Sequence, residues 1–284
     1  MPLVALAYNP QSGRHSQARL DALCAAFAQA GYQTQCVDSH SADLIALASS
    51  SEQLCVVGGD GTLRDVIARL QGQLNIPPVS IYPAGTINLV AREIGHPGNM
   101  SKFVRCVTGD QARLRAHYHG VIGGHPMVVC ASVGPDSIAV GAVSEALKRR
   151  IGRFAYAAAF LKLAVRWPRH PLSVVADGQS YKCEAAFILK GRYFAGPYKI
   201  SRDAGVCQPT FQLVLLPRAR RRDYLRLMIS AMIAPYFASA NWIKLQPQTI
   251  EISGKEALPV QADGDVVANL PIKAVINPNP VCFV

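Results

Sequence analysis

Short apolar runs alternate with amphipathic stretches along the first part of the chain. Residues 3–7, 32–37, 54–57 and 79–82 read as strands; the Leu-Cys-Val-Val run at 54–57 is apolar throughout, as a strand covered on both faces must be. Between them, residues 16–30 carry Leu20, Leu23, Phe27 and Ala30 on one helical face, and Gly31 closes that helix. Residues 62–70 repeat the spacing with Leu63, Val66, Ile67 and Leu70. Residues 42–49 and 101–108, and a segment entered through Leu89, Val90 and Ala91, add shorter helices. Strands alternating with helices predict an α/β domain over residues 1–113, with a mostly parallel sheet covered on both faces.

The pattern changes near Arg113. Residues 114–119, 120–122 and 127–133 read as antiparallel strands, and 136–166 as helical. After Pro168 come strands at 172–176, 181–189, 211–216, 249–253 and 260–262, with a hairpin signal at Asp177-Gly178. One helix, from Asp223 to about Phe237, interrupts them. Residues 114–270 are therefore expected to form an antiparallel β-sandwich. The final strand, 272–276 within a segment of about 271–284, is expected to return to the first domain.

Three polar turns follow strands of the first domain, so they should share one rim, where such sheets hold ligands. Gly58, Gly59, Asp60 and Gly61, with Thr62, join a strand to a helix. That geometry aims backbone N–H groups and a helix N-terminus at an anion, most often phosphate. A carboxylate beside phosphate is repelled unless a cation or a proton transfer involves it, so Asp60 points to a magnesium nucleotide rather than a dinucleotide. Taken alone, the turn serves equally as a plain connection. Asn9, Ser12 and Gly13 form the second turn, fit for a phosphate or ribose hydroxyl or for an ordinary Asx turn. Pro83, Ala84, Gly85, Thr86, Ile87 and Asn88 form the third, where Thr86 offers a hydroxyl and Asn88 an amide at the mouth of a helix. In the second domain, Asp263-Gly264-Asp265 puts two carboxylates on a tight turn, suited to base catalysis and metal binding or simply solvated.

Composition narrows the picture. Half of the 284 residues are hydrophobic and 17% are charged, so large cores are expected. The eight cysteines show no C-x-x-C spacing and read as reduced thiols of a cytoplasmic protein. No apolar stretch is long enough to span a bilayer, and residues 2–8 read as a first strand rather than a leader. The net charge of +11 suits polyanionic partners. It is concentrated in residues 148–153 and in Arg218, Arg220, Arg221 and Arg222. The second cluster adjoins a helix bearing Tyr224, Leu225, Leu227, Met228 and Ile229. That pairing fits peripheral attachment to anionic lipid, although a solvated surface has the same look. Little aromatic interleaving and no reading motif argue against nucleic acid.

Together the loops resemble the diacylglycerol kinase catalytic-domain family, which includes bacterial lipid kinases and sphingosine and ceramide kinases. The resemblance rests on Asn9-Pro-x-Ser-Gly13, Gly58-Gly-Asp-Gly-Thr62, Pro83-x-Gly-Thr-x-Asn88 and Asp263-Gly264-Asp265. The segments 148–156 and 191–196 add to it. It implies a Rossmann-like α/β nucleotide-binding domain, a C-terminal β-sandwich, and ATP-dependent phosphorylation of a lipid hydroxyl in a cleft between them. By matched position, Gly58 to Thr62 with Gly85, Thr86 and Asn88 would bind ATP, Asn9, Ser12 and Gly13 would line the nucleotide site, and Arg64 would touch it. Asp265 would accept the proton, and Asp263 would assist it or organise Mg²⁺. Some positions depart from the family: Arg64-Asp65 replaces Asn-Glu, Leu89 replaces an acid, Asp265 replaces Glu, and Cys207-Gln208-Pro209 replaces an Asp-Asp-Gly metal loop. A structural magnesium site is therefore not expected there. A kinase of a soluble substrate, as in NAD kinases, and a catalytically impaired nucleotide-binding regulator are the competing readings.

Overall fold

The computed structural model describes residues 1–10, 16–73, 75–109, 112–143, 154–163, 165–194, 196–233, 241–254 and 257–284. Ser12, Gly13 and the basic segment 148–153 lie outside the described residues. The chain divides into two compact units, Met1–His117 with Asn279–Val284, and Tyr118–Pro278.

The first unit begins β1 (Leu3–Tyr8), α1 (Gln17–Gln29), β2 (Gln33–Asp38), α2 (Leu44–Ser49) and β3 (Gln53–Gly58). It continues α3 (Asp60–Leu70), β4 (Val79–Pro83), α4 (Leu89–Ile94), α5 (Met100–Thr108) and β5 (Arg115–His117). Strands β1 to β4 are parallel and ordered β2-β1-β3-β4. Val4, Leu6, Cys55 and Val57 pack with Leu23 and Phe27 of α1 and Phe103 of α5, while the alternate residues Ala5, Ala7, Leu54 and Val56 are buried too. Both sheet faces are thus covered, which is why these strands are apolar without interruption. Ser16 caps α1 by accepting from Arg19 N at 3.2 Å.

β5 is antiparallel, as its sequence suggests, yet it belongs to this unit: it pairs with β18 (Val281–Phe283), which itself runs parallel beside β4. The returning strand is therefore 281–283. The 272–276 strand, expected to return, instead pairs inside the second unit.

That second unit contains β6 (Gly120–Ile122), β7 (His125–Met127), β8 (Cys130–Val133), α6 (Pro135–Gly141) and α7 (Phe154–Leu163). Then come β9 (Leu172–Ala176), β10 (Gln179–Cys183), β11 (Ala185–Leu189), β12 (Gln212–Leu216) and α8 (Arg221–Ile233). β13 (Ile243–Leu245), β14 (Thr249–Gly254), β15 (Pro259–Ala262), β16 (Asp265–Asn269) and β17 (Ile272–Ile276) complete it. Two antiparallel sheets, ordered β10-β9-β14-β17-β6-β7 and β13-β12-β11-β8-β15-β16, share one core. Val174, Ile250 and Ala274 from one sheet meet Ala131, Ile188, Leu213 and Val260 from the other.

Candidate active site

The strand order brings the turns of the first unit together. The chain leaves β1 for β2 on one side and places β3 on the other, so the order reverses between β1 and β3. Open α/β sheets bind ligands at the carboxyl ends of strands at such a reversal. Asn9 follows β1, Gly58 ends β3, and residues 84–88 follow β4. All three lie on that rim.

The two glycine turns are bound to each other. The β3–β4 ladder runs to its last pair, Gly58 with Pro83, and Ala84 N donates to Gly58 O at 3.0 Å. A Cβ on Gly85 would lie 2.5 Å from Gly59 Cα and 2.7 Å from Asn88 Oδ1. One on Gly58 would lie 2.6 Å from the Thr62 side chain, which is buried. These glycines are required by close packing of protein on protein, beyond any approach of phosphate.

Asp60 joins the turns chemically. Its carboxylate accepts from Leu89 N at 2.8 Å and Val90 N at 2.9 Å, the first N–H groups of α4. Burial pushes the Asp60 carboxyl up from the ordinary range, and these two donors pull it back. Asn88 precedes α4 in the left-handed region (φ 55°) and makes no side-chain cap. Its amide instead closes on Gly85, accepting from N and donating to O, each at 2.9 Å. Asp60 therefore holds one loop against the other, a role its spacing beside phosphate does not suggest. α3 starts at Asp60, earlier than the apolar spacing indicates, with Gly59 extended at its cap. Thr86 is exposed, Asn9 and Gly61 are half-buried, and Arg64, 14% exposed, lies with Nε 3.6 Å from Asp65 Oδ1.

In the second unit, Asp263 and Gly264 both have positive φ, 52° and 93°, and turn β15 into β16. The Asp263 carboxylate accepts from Val128 N, Val129 N and Cys130 N at 2.8, 2.8 and 3.0 Å. Those donors explain the break between β7 and β8, where sequence periodicity predicts one strand. Three backbone donors also make Asp263 a poor fit for a magnesium ligand. Among the described residues, no group of three acidic, histidine or cysteine side chains converges on a point able to hold a metal. Asp265 opens β16, half-buried, opposite Ala262.

Behind this turn runs a hydrogen-bonded chain absent from the sequence reading. Gly264 N donates to Gln261 Oε1 at 3.1 Å, and Gln261 Nε2 donates to Ser132 Oγ at 2.6 Å. Ser132 Oγ donates to Asp136 Oδ2, and Tyr224 OH donates to Asp136 Oδ1 at 3.0 Å. Burial raises the Asp136 carboxyl, against the pull of Ser132 and Tyr224, and burial beside Asp136 raises the Tyr224 phenol. Elsewhere, the segment where the family carries acids, Cys207-Gln208-Pro209, is tied down by a cation of the chain itself. Lys190 is fully buried, and its Nζ donates to Gln208 O and, at 3.0 Å, to Thr210 O. Burial brings the Lys190 ammonium down to about 8.

The chain thus joins a parallel α/β unit with glycine turns on one rim to a two-sheet antiparallel unit. Residues 4–116 match the diacylglycerol kinase catalytic domain, and residues 129–284 match the YegS C-terminal NAD kinase beta sandwich-like domain. The chain belongs to this diacylglycerol kinase family of lipid kinases. It is 25% identical to a diacylglycerol kinase of Staphylococcus carnosus over 274 residues, covering 93% of this chain and 89% of that one. It is 24% identical to a diacylglycerol kinase of Bacillus subtilis over 282 residues, covering 95% and 92%. A crystal structure of a diacylglycerol kinase from Bacillus anthracis superposes with a TM-score of 0.77 at 16% identity, covering 97% of this chain and 94% of that one. That last likeness speaks for the fold.

Proposed function

We propose that this chain transfers the γ-phosphate of ATP to a hydroxyl of a diacylglycerol-like or sphingoid lipid, met at an anionic membrane surface. The observation that carries the reading is the gathering of three strand ends on one rim at the strand-order reversal, with Gly59 and Gly85 in backbone contact and Thr86 exposed. The first-turn N–H groups of α3 suit the phosphates, and Thr86 and Asn9 supply polar contacts. Asp265 takes the proton of the lipid hydroxyl as its oxygen attacks the γ-phosphorus in line and ADP departs. Asp60 and Asp263, whose carboxylates accept backbone N–H groups, position the loops around that chemistry. Magnesium is the usual companion of ATP; the nucleotide phosphates, rather than Asp263, are its natural ligands here.

The test is transfer of label from γ-labelled ATP to a panel of diacylglycerol, monoacylglycerol, ceramide, sphingosine and NAD. Label in a lipid is expected. Label in NAD alone would make this a kinase of a soluble substrate. ATP binding without transfer to any acceptor would make it a regulator, and either result overturns the lipid-kinase reading.

A further inference from the structure

Large hydrophobic side chains left exposed on the described chain are not scattered. Seven of the ten lie on α7, α8 or the segment just after α7. α8 turns Tyr224, Leu227 and Ser230 inward. It turns Leu225, Met228, Ile229, Met232 and Ile233 outward, each between 39% and 70% exposed. Their spacing, i, i+3, i+4, i+7 and i+8, makes one continuous stripe along the helix. Arg221 Nη2 donates to Val165 O at 3.0 Å, which brings Val165, 79% exposed, to the start of α8. Leu161 of α7 is also open to solvent.

The platform under the stripe is fixed. The rings of Phe160, Trp167 and Tyr224 meet with centroids 5.2 to 5.8 Å apart, and Trp167 Nε1 donates to Ala219 O at 2.6 Å. α7, the segment after it and α8 therefore form one packed body. Arg218, Arg221, Arg222 and Arg226 are exposed around the start of α8. Arg220 is not part of that set: its Nε lies 3.0 Å from Asp223 Oδ2, an ion pair that starts the helix.

An outward apolar stripe on a helix is the reverse of what a solvated surface helix presents, and a patch of this kind marks an interaction site. We propose that the outward stripe of α8, with Val165 and Leu161, docks on an anionic lipid bilayer, burying its apolar side chains at the acyl boundary while the arginines meet lipid phosphates. Charge decides between this occupant and a second copy of the chain. Two copies meeting on this face would bring together arginine-rich surfaces of a chain with net charge +11, whereas anionic headgroups neutralise them. Contact is lateral, since among the described residues no helix is long and apolar enough to cross a membrane.

The proposal deepens the lipid-kinase reading by naming the surface through which the membrane is met, but its test needs no ATP. The full chain is mixed with phosphatidylcholine vesicles with and without phosphatidylglycerol, and bound protein is measured by sedimentation. Binding to the anionic vesicles is expected. Met232→Gln with Ile233→Gln should weaken it about tenfold or more through lost apolar burial. Arg218→Ser and Arg222→Ser should each weaken it about fivefold at low salt, with the effect fading as salt rises. All four positions are exposed, so the thermal midpoint should hold. In Met232→Trp, emission should shift to the blue on adding anionic vesicles. Transfer to a short-chain soluble diacylglycerol should persist in the Met232→Gln, Ile233→Gln variant, which separates docking from catalysis. Unchanged vesicle binding in that variant, or unmoved emission in Met232→Trp, would overturn the proposal. A dimer of the natural chain that the double variant abolishes would also overturn it, assigning the stripe to a second copy. Vesicle binding as expected without transfer to any lipid would sink the kinase reading and leave the docking surface standing.

Discussion

Burial alone would drive the Asp60 carboxyl toward its neutral form, and the two α4 N–H groups oppose that by donating to it. Removing the carboxylate leaves both donors unmatched at the start of a helix whose own cap residue, Asn88, is turned to Gly85. Asp60→Ala is therefore expected to lower stability by about 1 to 2 kcal/mol, the usual worth of a lost cap. It should also lower ATP affinity, because the two loops lose their tie. Chemical denaturation and ATP titration read the two effects, and an unchanged unfolding midpoint would deny Asp60 the tying role. A different residue, His119, contributes to the response to acid. His119, almost wholly buried, accepts at Nε2 from Asn277 Nδ2 at 2.9 Å, which requires a neutral ring. Burial, with help from the nearby Lys190 charge, brings its pKa down from 6.5 to about 4. Above 6.5 neither the folded nor the unfolded ring is protonated, and the full contribution to stability is present. As pH falls from 6.5 to about 4 the unfolded chain binds a proton that the folded chain refuses, so stability falls with it. The loss expected from His119 is on the order of 3 kcal/mol, complete near pH 4. Denaturation across that window should show the slope in the natural chain and a reduced slope in His119→Gln; equal slopes would remove His119 from the account.

At the scale of elements, the chain Tyr224–Asp136–Ser132–Gln261–Gly264 links α8, α6, β8 and β15 to the turn bearing Asp265. Tyr224→Phe removes a donor from a buried carboxyl while keeping the ring that packs on Trp167. The expected cost is about 1 to 3 kcal/mol of stability, since a buried acceptor loses its partner. If the chain also holds the catalytic turn, kcat should fall with little change in KM for ATP. A stability loss with unchanged kcat would confine the network to structure. None of this was legible beforehand, because its members lie in separate apolar runs and only the pairing of β8 with β15 brings Ser132 to Gln261. The turn at Asp177-Gly178 was legible, since two positive-φ residues between alternating runs carry their own local signal. The same locality explains why residues 58–62 stood out as a site, while the contact of Gly59 with Gly85 did not: it depends on the β3–β4 register.

For the whole molecule, periodicity was enough to separate a parallel α/β part from an antiparallel part, because strands covered on both faces and strands covered on one carry different patterns. It was not enough to assign β5 or β17, since an antiparallel strand looks alike in either unit and only its partner, β18 for one and β14 for the other, decides. Function asks more of this division than fold does. The proposed ATP contacts lie in the first unit, and the proposed base in the second. Of the three candidate carboxylates, Asp60 and Asp263 accept backbone N–H groups, and Asp265 is the one proposed as proton acceptor. Asp265→Asn keeps the size and removes the basic oxygen, so transfer should fall by about a hundredfold or more while ATP affinity stays within error. Asp265→Glu, which restores the acid usual at this position in the family, should retain most of the rate. Label transfer and ATP titration on the same preparations separate the two units' contributions. If Asp265→Asn transfers at the natural rate, proton acceptance lies elsewhere. If it loses ATP affinity as well as rate, Asp265 acts on the nucleotide rather than on the lipid hydroxyl.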